Sequence, residues 1–165
     1  MELPVKPFLI LGVGNPMFGD DGFGVECVRR LAGLAGFEEV EILDGGTSGI
    51  YLLPHFEGRS HVWIVDAVHF RGEPGTLIEL PAEQVAARLN NVKLSEHQVT
   101  LNEVLALLDL LEARPPFVKL IGVQPEHMRF AGGLSETVAA RIPEVIDILR
   151  REVTHAANEC AVSVG

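Results

Sequence analysis

The sequence predicts an α/β domain in which crossover units wind around a central, mostly parallel sheet. Three observations carry that prediction. Apolar runs rich in Val, Ile, Leu and Phe at 7–13, 61–67 and 117–123 are nearly continuous, the pattern of strands buried on both faces of a parallel sheet. Segments of helical periodicity lie between the strands, so that strand and helix alternate. The stretch from Val68 to Gly75 is short and holds Gly72, Pro74 and Gly75, which leaves no room for a crossover helix, so one edge strand is expected to run antiparallel.

In chain order, the strand at 7–13 leads through a glycine-rich turn into a helical pattern over 22–34. A strand at 40–44 and a helical pattern over 48–57 follow, then the strand at 61–67 and, after the tight link, a strand at 75–80. Helical patterns at 83–89 and 98–113 lead to the strand at 117–123, and a pattern over 135–152 closes the fold. Ser95 with Gln98 matches a capping box, and Leu94 with Val99 fits the accompanying apolar staple. That starts a helix at Glu96 and puts His97 in its first turn. Pro143 falls inside the last helical pattern and is expected to kink or divide it. One domain is expected over 1–153, with 154–165 a flexible, patternless tail.

At 165 residues the chain can bury a single core, and 47% hydrophobic against 22% charged residues makes it globular, not disordered. Thirteen basic residues against 23 acidic ones give a net charge of −10, which argues against a nucleic-acid partner. No charge run suggests a membrane surface, and the longest apolar run is too short to span a bilayer. The first residues lack the pattern of a secretory signal. Cys27 and Cys160 form neither a disulfide framework nor a metal-finger spacing, so a reducing cytoplasm is the expected compartment.

The turn after the first strand is where chemistry begins. Gly12-Val-Gly14 invites a dinucleotide reading, but the third glycine of that fingerprint would fall at Met17. No phosphate-binding loop is present either. What remains is Gly14-Asn-Pro-Met-Phe-Gly-Asp-Asp-Gly, whose two acids would repel a phosphate and attract a cation. Asp20 and Asp21 stand at a helix start, where one of them is expected to cap. Asp66 ends the run Val62-Trp-Ile-Val-Asp, at the carboxyl end of a buried strand where α/β proteins place ligands, although a strand-end Asp also serves turns. Asp44 ends its own strand in the same way. Of six histidines, His97 is distinguished by a helix N-terminus that disfavours imidazolium and leaves the neutral ring that binds metal. No Ser sits in a nucleophile elbow, no His-Glu-x-x-His occurs, and Cys27 reads as a buried structural thiol.

Taken together, the segments FLILGVGNPMFGDDGFG (8–24), EILDGGT (41–47), VWIVDA (62–67) and SEHQ (95–98) resemble those of the hydrogenase maturation endopeptidases. The resemblance spans about residues 7–152. It implies a three-layer α/β/α sandwich with a five-stranded, mostly parallel sheet, in agreement with the five strand candidates. It further implies an endopeptidase that trims the C-terminal extension from the large-subunit precursor of a nickel-iron hydrogenase after nickel insertion. Asp21, Asp66 and His97 would then be both metal ligands and catalytic residues, with the nickel supplied by the precursor and another divalent metal able to occupy the site in vitro. Asp44, Gly45, Gly46 and Thr47 would line the substrate cleft, and Asn15 and Asp20 would support the ligands. Many relatives carry Glu where this chain has Asp21, a shorter carboxylate that keeps the oxygen donor. Lacking a nucleophile of its own, such an enzyme would use metal-assisted attack by water. The alternatives are a nickel-sensing chaperone that binds the precursor without cutting it, and a small-molecule hydrolase on a related fold.

Overall fold

A computed structural model of the chain describes residues 5–89 and 101–163. Strands β1 (Phe8–Val13), β2 (Val40–Gly46), β3 (His61–Ala67), β4 (Leu77–Pro81) and β5 (Phe117–Val123) form one sheet in the order β2-β1-β3-β5-β4. β1 pairs in parallel with β2 and β3, and β3 with β5. β4 runs antiparallel to β5 at the edge, as the short link after β3 requires. The helices are α1 (Phe23–Leu31), α2 (Leu53–Phe56), α3 (Ala82–Leu89), α4 (Leu101–Leu110), α5 (Glu136–Ala139) and α6 (Ile142–Ser163), with 3-10 turns at Gly19–Gly22 and Gly49–Leu52.

Strand alternation sorts the apolar side chains into two cores. Ile10, Trp63 and Val65 face Phe23, Val28 and Leu31 of α1 and Val145, Leu149 and Val153 of α6. Leu9, Leu11, Val62 and Ile64 face Phe56, Val85 of α3, and Val104, Leu105 and Leu108 of α4. The sheet is therefore the middle layer of three, and β1 and β3 are buried on both faces.

One expectation changes. The last helix does not stop near Val153 but runs to Ser163. Val153 and Ala156 continue its buried stripe, and Glu152 accepts a hydrogen bond from Trp63 Nε1 at 2.6 Å and pairs with Lys119. The Ala and Glu residues of this segment favour helix once the preceding turns are docked, without an apolar period of their own. Pro143 does divide the final pattern: α5 ends at Ala139, and Pro143 is the second residue of α6, where its missing N–H breaks no bond. The expected capping box at Ser95–Gln98 lies outside the described residues.

Candidate active site

The carboxyl ends of β1, β2 and β3 form the floor of the site. Three glycines bring its acids together. A Cβ on Gly24 would stand 2.1 Å from the Val65 carbonyl oxygen and 2.6 Å from that of Val13, so only glycine lets the start of α1 rest directly on the ends of β1 and β3. Gly12, whose added Cβ would meet the Gly24 carbonyl oxygen at 2.2 Å, tightens the same contact. Gly14, at φ +123°, clears the space that the Asp21 backbone occupies. Asp21, in the 3-10 turn that precedes α1, is thereby held over Asp66, the penultimate residue of β3.

The electrostatics record that proximity. Burial raises the Asp21 carboxyl above its ordinary value, against the backbone N–H of Asn15, which donates to Oδ2 at 2.9 Å, and the electrostatic influence of His69. Asp66 is densely surrounded by protein yet keeps an opening to solvent. Burial first, and the charge of Asp21 second, push its carboxyl well above the usual range, with a backbone bond from Ala67 opposing. Two desolvated carboxylates that repel one another are each stabilised as anions by a shared cation. This donor set, hard oxygens with an opening to solvent, fits a divalent metal. Among the described residues no group of three acid, His or Cys side chains is placed to hold one; His97, the expected third ligand, lies outside them.

Neither acid caps a helix as expected: neither the 3-10 turn nor α1 has a side-chain cap. Asp20 is instead fully buried and accepts from Glu126 N (2.8 Å), His127 N (3.1 Å), Ser135 N (2.7 Å) and Ser135 Oγ (3.0 Å). It ties the turn before α1 to the loop between β5 and α5. Asn15 fixes its own loop by accepting from Met17 N at 3.0 Å while its N–H holds Asp21.

At the end of β2, Asp44 is exposed, accepts from Gly46 N at 3.1 Å and lies 3.3 Å from the Arg29 guanidinium of α1. Gly46 takes φ +47°, and its carbonyl accepts from Gly14 N at 2.9 Å, so the Asp44–Thr47 turn abuts the loop that carries Asp21. Gly45 is buried against Leu11 and Leu52, and Thr47 is exposed.

His69 and Gln124 were missed from sequence. His69 reads there as an ordinary loop histidine, but Val68 N donates to Val123 O at 2.9 Å, which extends the β3–β5 pairing and carries His69 to the mouth of the sheet beside Gln124. Its spacing of three residues from Asp66 was the available signal.

The chain matches the family model HycI, hydrogenase maturation protease, over residues 25–152. It is 39% identical over 147 residues to the hydrogenase expression/formation protein HupD of Rhodobacter capsulatus, covering 88% of this chain and 70% of that protein. It is 40% identical over 141 residues to the hydrogenase 2 maturation protease of Escherichia coli K12, covering 84% and 85%. Its fold superposes on the hydrogenase maturating endopeptidase HybD from E. coli with a TM-score of 0.80 at 37% identity, covering 90% of this chain and 93% of that one.

Proposed function

We propose a function from one premise, that the chain belongs to the hydrogenase maturation protease family: it is an endopeptidase that removes the C-terminal extension of a nickel-iron hydrogenase large-subunit precursor once nickel is in place. The observation that carries this reading is the Asp21–Asp66 pair, two desolvated carboxylates at the mouth of the sheet, with the charge of Asp21 pushing Asp66 further up. A site so built gains its missing charge from the substrate. Asp21, Asp66 and His97 would reach the nickel of the precursor, and that nickel, as part of the substrate, would polarise the scissile bond or its attacking water. With nickel in place both carboxylates would be held as anions, and an oxygen that the metal leaves free would take a proton from the attacking water and pass it to the leaving nitrogen. Asp44, Gly45, Gly46 and Thr47 would hold the peptide beside the pair, and Asn15 and Asp20 would hold Asp21 in place.

A protein substrate suits the surroundings. Phe18, three residues before Asp21, is exposed and packs edge-on against exposed Phe130 at 5.5 Å, and Ile50 and Tyr51 stand exposed just after Thr47. Such apolar exposure beside a cleft is characteristic of surfaces that another chain covers. No described helix is long and apolar enough to cross a membrane, and processing in the cytoplasm fits this reading.

The test is mass-spectrometric detection of the released extension after incubation of nickel-loaded precursor with the wild-type chain and with Asp21→Ala, Asp66→Ala and His97→Ala. Each variant should lose processing while remaining folded. Wild-type processing by any of them would remove that residue from the site, and binding without cutting by the wild-type chain would turn the reading to a non-cleaving chaperone.

A further inference from the structure

Beside the carboxylate pair stands a histidine whose protonation pattern is dictated by its neighbour. Gln124 is buried, and its backbone is fixed by Gln124 N to Thr76 O and Gly75 N to Gln124 O, both at 2.8 Å. Its side-chain Oε1 accepts from Phe70 N at 2.9 Å and Gly72 N at 3.2 Å. Two backbone donors on that oxygen fix the amide orientation, so the other terminus must be the nitrogen. That Nε2 has two hydrogens and two acceptors in reach, Pro125 O at 3.4 Å and His69 Nδ1 at 3.3 Å. His69 Nδ1 must therefore accept, which puts the ring proton on Nε2. Among the described residues, that Nε2–H has no hydrogen-bond partner.

We propose that His69 is a further catalytic residue of the peptidase, a neutral imidazole held by Gln124 with its Nε2–H aimed at the scissile carbonyl oxygen beside Asp21 and Asp66. The inference rests on the protease reading above. When water attacks, a C–O bond forms at the carbonyl carbon, the C=O pair moves onto oxygen, and the water proton passes to an aspartate. The Nε2–H of His69 stabilises the oxyanion and keeps its proton throughout. The C–N bond then breaks as the aspartate returns the proton to the departing nitrogen. Gln124 is a positioning residue: it sets the tautomer and does not touch the substrate. Val68 N bonds to Val123 O, so the chain past Asp66 stays against β5 and leaves His69 at the mouth of the sheet, three residues beyond Asp66. A tautomer with Nδ1 occupied as acceptor and Nε2 protonated is unsuited to bind metal through either nitrogen, which separates His69 from the ligand set.

The experiment has two arms. Nitrogen-15 NMR of the imidazole in the wild-type protein, at mildly alkaline pH, should show His69 Nδ1 unprotonated and Nε2 protonated; the reverse tautomer overturns the proposal. In cleavage assays with nickel-loaded precursor, His69→Leu should lose about 10²–10³-fold in kcat with KM little changed, the size expected for one oxyanion donor. His69→Gln, which can restore an N–H, should recover part of the rate. Gln124→Glu offers an oxygen to Nδ1, so it should move the ring proton to Nδ1 and lose rate as His69→Leu does. A Gln124→Glu enzyme with the switched tautomer and wild-type kcat would overturn the role, as would a fully active His69→Leu. If the wild-type protein cuts no precursor, the protease reading fails, and the NMR arm still decides the geometry of His69.

Discussion

Gly24→Ala tests the contact on which the site is built. The new methyl would stand 2.1 Å from the Val65 carbonyl oxygen, 2.6 Å from that of Val13 and 2.8 Å from the Val65 carbonyl carbon. All three are backbone atoms of strands at the centre of the sheet, so the relief must come from α1. The helix start has to retreat by roughly 1 Å before the methyl reaches ordinary van der Waals distance. Overpacking of this kind costs about 1–3 kcal/mol, or about 3–9 °C in Tm at this chain length. The retreat also carries Asp21 away from Asp66, and a displacement of about 1 Å at reacting groups costs on the order of 100-fold in rate. Gly33→Ala is the control. Gly33, just past α1, has φ +82° and no atom within 4 Å of its would-be Cβ, so alanine there costs about 1–2 kcal/mol in backbone strain alone. Thermal melts and precursor cleavage should therefore separate the two: both variants melt early, and only Gly24→Ala cuts slowly. Gly24→Ala with wild-type cleavage would refute the claim that this contact sets the geometry of the acid pair.

Three further outcomes follow. Asp20→Ala leaves Glu126 N, His127 N, Ser135 N and Ser135 Oγ without their acceptor and should cost about 3–5 kcal/mol in denaturant titrations, whereas Asp21→Ala, which releases only the Asn15 N–H, should leave the melt nearly unchanged and abolish cleavage. Because the folded-state pKa of Asp66 is raised, the native protein holds a proton that the unfolded chain has released, so this residue opposes folding increasingly as pH rises above about 4, its ordinary value; with chelator present, the melting temperature of Asp66→Asn should exceed that of the wild type by a margin that grows with pH, and a margin that shrinks would contradict the shift. Asp44→Ala breaks an exposed pair with Arg29 and an exposed hydrogen bond from Gly46 N, so stability should change by about 1 kcal/mol or less, while KM for the precursor should rise with kcat nearly kept.

The layer order and strand directions were legible because burial on both faces leaves β1, β3 and β5 almost free of polar residues, and because eight residues from Val68 to Gly75 cannot hold a crossover helix. Asp66 was legible for a related reason: a charge that ends such a run must sit at the mouth of the sheet. Asp20 and Asp21 look equivalent as neighbours in sequence, but consecutive residues of a 3-10 turn point in different directions, and only the fold shows Asp20 turned toward the β5–α5 loop. His69 and Gln124 were hidden because their relation depends on a bond across the sheet between residues 55 apart in sequence. The helix beyond Val153 was missed because Val153 and Ala156 acquire their burial from the sheet, not from a local pattern.

The central claim is that the substrate's nickel completes the site formed around Asp21 and Asp66. The most direct measurement compares the rate of extension release, at equal enzyme, from large-subunit precursor prepared with nickel and from the same precursor prepared without it. The account predicts release only from the nickel-loaded form, with the metal-free precursor left intact even at high enzyme. Equal cutting of both forms would contradict it.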